Sequence, residues 1–125
     1  MGVSQIKPFE AVILDTDLLD QMCVRMGYTQ AESAITSAME DLAVLLQYCG
    51  TLYRAEEYDT LRVTCQQIEG VAKRVGMSSL ARVAKDVASL SQSGDSAALA
   101  ATVGRLRRLG EQSLIAIWDR EDLSI

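Results

Sequence analysis

Leu61-Arg62-Val63-Thr64-Cys65-Gln66-Gln67-Ile68-Glu69-Gly70-Val71-Ala72-Lys73-Arg74-Val75-Gly76 carries a strong helical signal. Leu61, Cys65, Ile68, Ala72 and Val75 recur at i, i+4, i+7, i+11 and i+14, one apolar stripe at helical period. A helix turns about 100° per residue, so Gln66 points about 200° away from Ile68. Gln66 therefore faces outward, with Arg62, Glu69, Gly70 and Lys73 on the same side. Gly70 is unusual there, because a glycine inside a helix costs about 1 kcal/mol relative to alanine. It is either a local weakness or a place where another backbone comes close.

The flanking sequence resolves into further helices. Residues 1–14 read as a lead-in arm, with Pro8 followed by the apolar run Ala11 to Leu14. Asp15-Thr16-Asp17 supplies an N-cap and early negative charge for a short helix with Leu18, Leu19, Met22 and Met26 inward, and Gly27 stops it. Thr29-Gln30-Ala31-Glu32 has the form of a capping box, T-x-x-E, opening a long helix to about Arg54. Its inward stripe is Ile35, Ala38, Leu42, Leu45, Cys49 and Leu52, and Gly50 within it marks a kink or an early end. A turn at Ala55 to Glu57 leads into the central helix, whose first turn gains from Glu56, Glu57 and Asp59. Gly76 ends it. Ser78 or Ser79 is expected to cap the next helix, with Leu80, Val83, Ala84, Val87 and Leu90 inward. Ser91 to Ser96 is a loop, with Asp95 or Ser96 as the following cap. A last helix runs to about Asp119 with Leu99, Val103, Leu106, Gly110, Leu114 and Ile117 inward, and residues 120–125 form a polar tail.

Short connections between long amphipathic helices favour antiparallel neighbours. The expected fold is therefore all-α: an up-down-up-down four-helix bundle in one domain over residues 15–119, with a short extra N-terminal helix.

The central stretch resembles the core motif of histidine phosphotransfer (HPt) domains, roughly H-x-L-K-G-x-A-x-x-x-G. Ile68 stands at the aliphatic position, Gly70 at the first glycine, Ala72 at the small residue and Gly76 at the last glycine. Leu80 and the upstream run Glu56 to Leu61 also fall where that family has similar residues, and the resemblance extends from about Asp15 to Trp118. The phosphorylated histidine falls on Gln66, and the usual lysine falls on Glu69. The chain contains no histidine at all. The resemblance thus implies a degenerate member that cannot carry phosphohistidine. It also implies the HPt four-helix fold and a docking surface for a receiver or histidine-kinase domain of a two-component phosphorelay. Arg62, Val63, Gln66, Gln67, Glu69, Gly70, Lys73 and Arg74 make up that surface. Glu69 reverses the family's charge, which weakens docking to a standard acidic pocket or selects another partner.

Composition narrows the function classes. The formal net charge is −5, distributed as −7 over residues 1–61, +5 over residues 62–108 and −3 over residues 109–125. A net-acidic chain without a basic stretch interleaved with aromatics is a poor nucleic-acid binder. The basic block, which contains the central helix, suits an acidic protein surface. The three cysteines, Cys23, Cys49 and Cys65, lack the spacing of a metal site. Cys49 and Cys65 fall on apolar helix faces as small hydrophobes.

Without histidine, Ser-His-Asp and Cys-His nucleophile systems are excluded, and no phosphate-binding glycine motif is present. Adjacent carboxylates such as Glu40–Asp41 and Glu56–Glu57 do not face each other on a helix. We therefore expect no catalytic residues, no cofactor and no metal. No apolar run reaches the roughly 20 residues of a membrane span, and the N-terminus lacks a basic-then-apolar signal, so a cytoplasmic protein without membrane association is expected. The alternative to a signalling module is a structural helical-bundle subunit, a homodimer through exposed members of Met22, Met26, Tyr28, Tyr53 and Trp118, with the HPt-like surface vestigial.

Overall fold

The computed structural model describes residues 14–124. The arm expected over residues 1–14 lies outside them except for Leu14. Five helices follow in order: α1 (Thr16–Met26), α2 (Tyr28–Arg54), α3 (Tyr58–Arg74), α4 (Ser78–Leu90) and α5 (Ser96–Ser124). The described residues are all-helical apart from connections and one isolated antiparallel bridge, Leu14 to Met77. No helix among them is long and apolar enough to cross a membrane.

The helices pack in sequence: α1 on α2, α2 on α3, α3 on α4, and α4 on α5, with α5 also meeting α2. One core results. The whole expected α3 stripe is buried: Leu61, Cys65, Ile68, Ala72 and Val75. Thr64 and Val71 join it, so the buried face of α3 is wider than one stripe. Leu42 and Leu52 of α2, Leu80 and Val83 of α4, and Leu106 and Ile117 of α5 are buried with it. Gly50 does not end α2 early, and that helix runs on to Arg54.

Helix ends show where local chemistry decides. Asp15 caps α1, its Oδ1 accepting from the Leu18 N–H at 3.0 Å, and Asp95 caps α5 in the same way through the Ala98 N–H at 3.0 Å. The α2–α3 turn is a Schellman motif: Glu57 N–H donates to Leu52 C=O at 2.9 Å and Glu56 N–H to Tyr53 C=O at 3.1 Å. That geometry places Glu56 in the left-handed region at φ 58°, where glycine is usual. The α3–α4 turn repeats the motif with Gly76 at φ 76°: Met77 N–H reaches Ala72 C=O at 2.9 Å and Gly76 N–H reaches Lys73 C=O at 3.3 Å. Gln92 Nε2 donates to Asp59 Oδ1 at 2.7 Å, tying the α4–α5 loop to the first turn of α3.

Three boundaries differ from expectation. Thr29 does not cap α2. The chain reverses within Gly27, which closes α1 by donating to Cys23 C=O and serves as N-cap of α2 without a side-chain bond, so Thr29 and Glu32 already lie in the first turns. Neither Ser78 nor Ser79 caps α4. Met77, buried and fixed by the Schellman bond and the Leu14 bridge, is already the N-cap, and Ser79 is buried inside the helix. Finally, α5 continues past Asp119 to Ser124, because residues 119–124 contain neither glycine nor proline to stop propagation.

Candidate docking surface around Gln66

The α3 stripe fixes which residues face out. With Ile68 at the core, the 100° step places Gln66 and Lys73 opposite it. Gln66, Gln67, Lys73 and Arg74 are exposed, Val63 is 45% exposed, and Arg62, Glu69 and Gly70 are half-buried. The eight residues singled out by the resemblance thus reach the surface of one helix. They do not form one cluster, because they divide between two flanks.

On one flank, Lys73 Nζ meets Glu69 Oε2 at 3.0 Å, an i, i+4 pair. Lys73 therefore answers the negative charge of Glu69 instead of standing free at a rim. Arg62 lies on the same side, its Nε enclosed without a hydrogen-bond partner.

On the other flank, Gln67, Gly70, Val71 and Arg74 face Asp41, Val44 and Leu45 of α2 across a groove of about 510 Å³. A Cβ built on Gly70 meets no atom within 4 Å, so the glycine borders open space. The opening beside Gly70 consequently points toward α2, with Arg74 and Asp41 as its charged lining. Val44 is 67% and Tyr48 46% exposed, one turn apart on α2, which gives this side of the molecule an apolar component. Arg74 and Asp41 also border a second hollow of about 490 Å³ shared with α1, where Met22 and Met26 contribute. Sequence alone does not assign Asp41, Val44 and Leu45 to this surface, since only the packing of α2 on α3 sets them beside Gly70. The apolar character of Val44 and Tyr48 on an otherwise polar helix face was the available signal.

Two of the three thiols meet in the core, and the third, Cys23 on α1, is half-buried. Cys49 and Cys65 are buried with Sγ atoms 3.6 Å apart, and both are free thiols. The Cys65 thiol is pushed up from its ordinary value, first by its hydrogen bond to Cys49 and then by burial. Cys49 shifts the other way, because a charge there would accept from Cys65, while burial opposes it. For two thiols in an apolar interior, the upward shift of Cys65 is the physically robust one. Neither is poised as a nucleophile. No group of three or more metal-ligating side chains occurs among the described residues.

No family model matches the chain, and comparison with curated proteins and with solved structures likewise gives no match. The site must therefore be read from its own geometry. A convex helix surface carries an uncharged amide at its centre, an intramolecular ion pair on one side and an open groove with a glycine edge on the other. The ionisable side chains on the Gln66 flank are Arg62, Glu69 and Lys73, the last two paired with each other.

Proposed function

We propose that this chain is a non-catalytic, HPt-like signalling module. It binds a response-regulator receiver domain or a histidine-kinase domain in a two-component phosphorelay and does not itself carry phosphohistidine. In this reading α2 to α5 form an up-down-up-down four-helix bundle with α1 as an added cover, and the protein works in the cytoplasm. Gln66 occupies the phosphosite and fills its space with a hydrogen-bonding amide that cannot accept a phosphoryl group in the manner of an imidazole.

The observation that carries the reading is the joint placement of the motif residues. Gln66 is exposed in mid-helix, Ile68 and Ala72 are fully buried beneath it, Gly70 borders open space one turn on, and Gly76 closes the helix in a left-handed conformation. Gly76 stands where the turn requires a glycine, and Gly70 leaves the surface beside Gln66 open.

The Glu69–Lys73 pair sharpens the choice of partner. A standard receiver presents an acidic pocket, and here the lysine that would meet it is engaged by Glu69. Glu69→Lys removes that engagement and restores the family's charge, so it should strengthen binding to a standard receiver. The test is calorimetric titration of the protein, parent and Glu69→Lys, against purified receiver and kinase domains from the source organism. Saturable one-to-one binding supports the reading. Absence of binding to every receiver and kinase domain, by both proteins, would leave only the structural-subunit alternative.

A further inference from the structure

A second surface lies on α5, away from the α3 flank. Ala100, Gly104, Arg107, Glu111, Leu114 and Trp118 recur at i, i+4, i+7, i+11, i+14 and i+18, one continuous stripe on a helix. All but Trp118 line a groove of about 620 Å³ between α5 and α2. Trp118 prolongs the stripe and is 56% exposed. Across the groove α2 presents Ala43, Gln47, Gly50 and Arg54. Among the described residues, Arg107 and Glu111, one turn apart, are in no ion pair, either with each other or with another side chain.

The order along the stripe is informative. Small residues come first, then a positive and a negative charge, then two large apolar side chains. Turned end for end, that order complements itself. A second α5 laid antiparallel, with the two-fold axis at the level of residue 109, sets Arg107 against Glu111 of the other copy. It sets Gly104 against Leu114 and Ala100 against Trp118. Each match occurs twice, because a two-fold interface exchanges its two sides. Large side chains then enter the space left by small ones, and opposite charges meet near the centre. A parallel alignment would set arginine on arginine and tryptophan on tryptophan.

We propose that the chain forms an antiparallel two-fold dimer through α5 and the α2–α5 groove, with these three reciprocal matches. The stripe is about 27 Å long at the helical rise, about five turns of contact. Gln66 and Gly70 lie on the opposite flank of α2, so the dimer leaves both copies of the α3 surface uncovered. The inference stands on the α5 stripe alone and holds whether or not a receiver binds.

Sedimentation equilibrium of the full chain, from low micromolar to millimolar concentration, tests it together with Trp118 emission. The chain has one tryptophan, so emission reports this face directly. A monomer–dimer equilibrium is expected, with emission moving to shorter wavelength as dimer forms. Arg107→Glu and Glu111→Arg should each weaken the dimer by roughly tenfold or more, since each sets two like charges in contact. The double variant R107E/E111R should restore it. Both positions are exposed, and thermal melts at dilutions where the chain is monomeric should stay near the parent's. A monomer throughout the range would overturn the proposal. So would a dimer indifferent to the single charge reversals, or one whose formation leaves the emission unchanged.

Discussion

Replacing Gly76 by alanine tests the junction that holds α3, α4 and the start of α1 together. Gly76 sits at φ 76°, where an L-residue costs about 1–2 kcal/mol. Alanine recovers about 0.4–1 kcal/mol by restricting the unfolded chain. Backbone conformation alone therefore removes about 1 kcal/mol. The added methyl would lie 2.9 Å from the Asp15 carbonyl oxygen and 3.3 Å from its Cβ. These are not freely adjustable neighbours, because Asp15 N–H is held by Gly76 C=O at 2.7 Å. Backing Asp15 away strains or breaks that bond, worth about 0.5–1.5 kcal/mol. The total is about 2 kcal/mol of destabilisation. With an m-value of about 2 kcal/mol/M, the urea midpoint falls by roughly 1 M. Gly70→Ala is the internal control. That glycine lies inside a helix beside open space, so alanine should raise stability by up to about 1 kcal/mol. The opposite signs at two glycines six residues apart are the prediction. A Gly76→Ala protein as stable as the parent in urea would refute the account of this junction.

Glu56→Gly should stabilise the protein by roughly 0.5–1 kcal/mol, read as a higher urea midpoint, because the α2 Schellman turn holds a glutamate in a glycine conformation. Asp95→Ala should lower stability by about 1 kcal/mol in the same assay by leaving the Ala98 N–H without its cap. Stability should also fall as pH rises past 9.0, the ordinary value of the Cys65 thiol. With the folded-state value raised, the unfolded chain releases that proton first, so the contribution is complete below 9.0 and is lost above it. Urea midpoints across alkaline pH, compared with those of Cys65→Ala, should show a shallower fall in the variant.

Much of the fold is written in local sequence. Asp15 and Gly27 bracket α1, the 3.6-residue stripes select the core of α2 to α4, and Asp95 announces α5, because each signal acts within a turn or two of itself. Where two signals compete, the sequence is less legible. Thr29 and Ser78 are good caps in isolation, yet Gly27 and Met77 take the role because tight reversals there leave no room for another residue. Leu109 and Ser113, both buried, fall outside the stripe read for α5, since α4 packs on that helix as well as α2. Exposure of Gln66 and burial of Ile68 followed from periodicity alone. The groove beside Gly70 did not, because Asp41 and Val44 reach it only through the packing of α2 on α3. The 3.6 Å approach of Cys49 to Cys65 has the same origin: each cysteine reads as a core residue, and only the register between helices makes them neighbours.

The central claim is that a receiver or kinase domain docks on α3 across the edge marked by Gly70. Gly70→Trp tests it most directly, since Gly70 borders open space and a large side chain there fills the groove beside α2. Calorimetric titration of parent and variant against the receiver or kinase domain that the parent binds is the measurement, with thermal melts alongside. The account predicts that binding is lost while the melting temperature is kept. A Gly70→Trp protein that folds and binds that domain with the parent's affinity would contradict it.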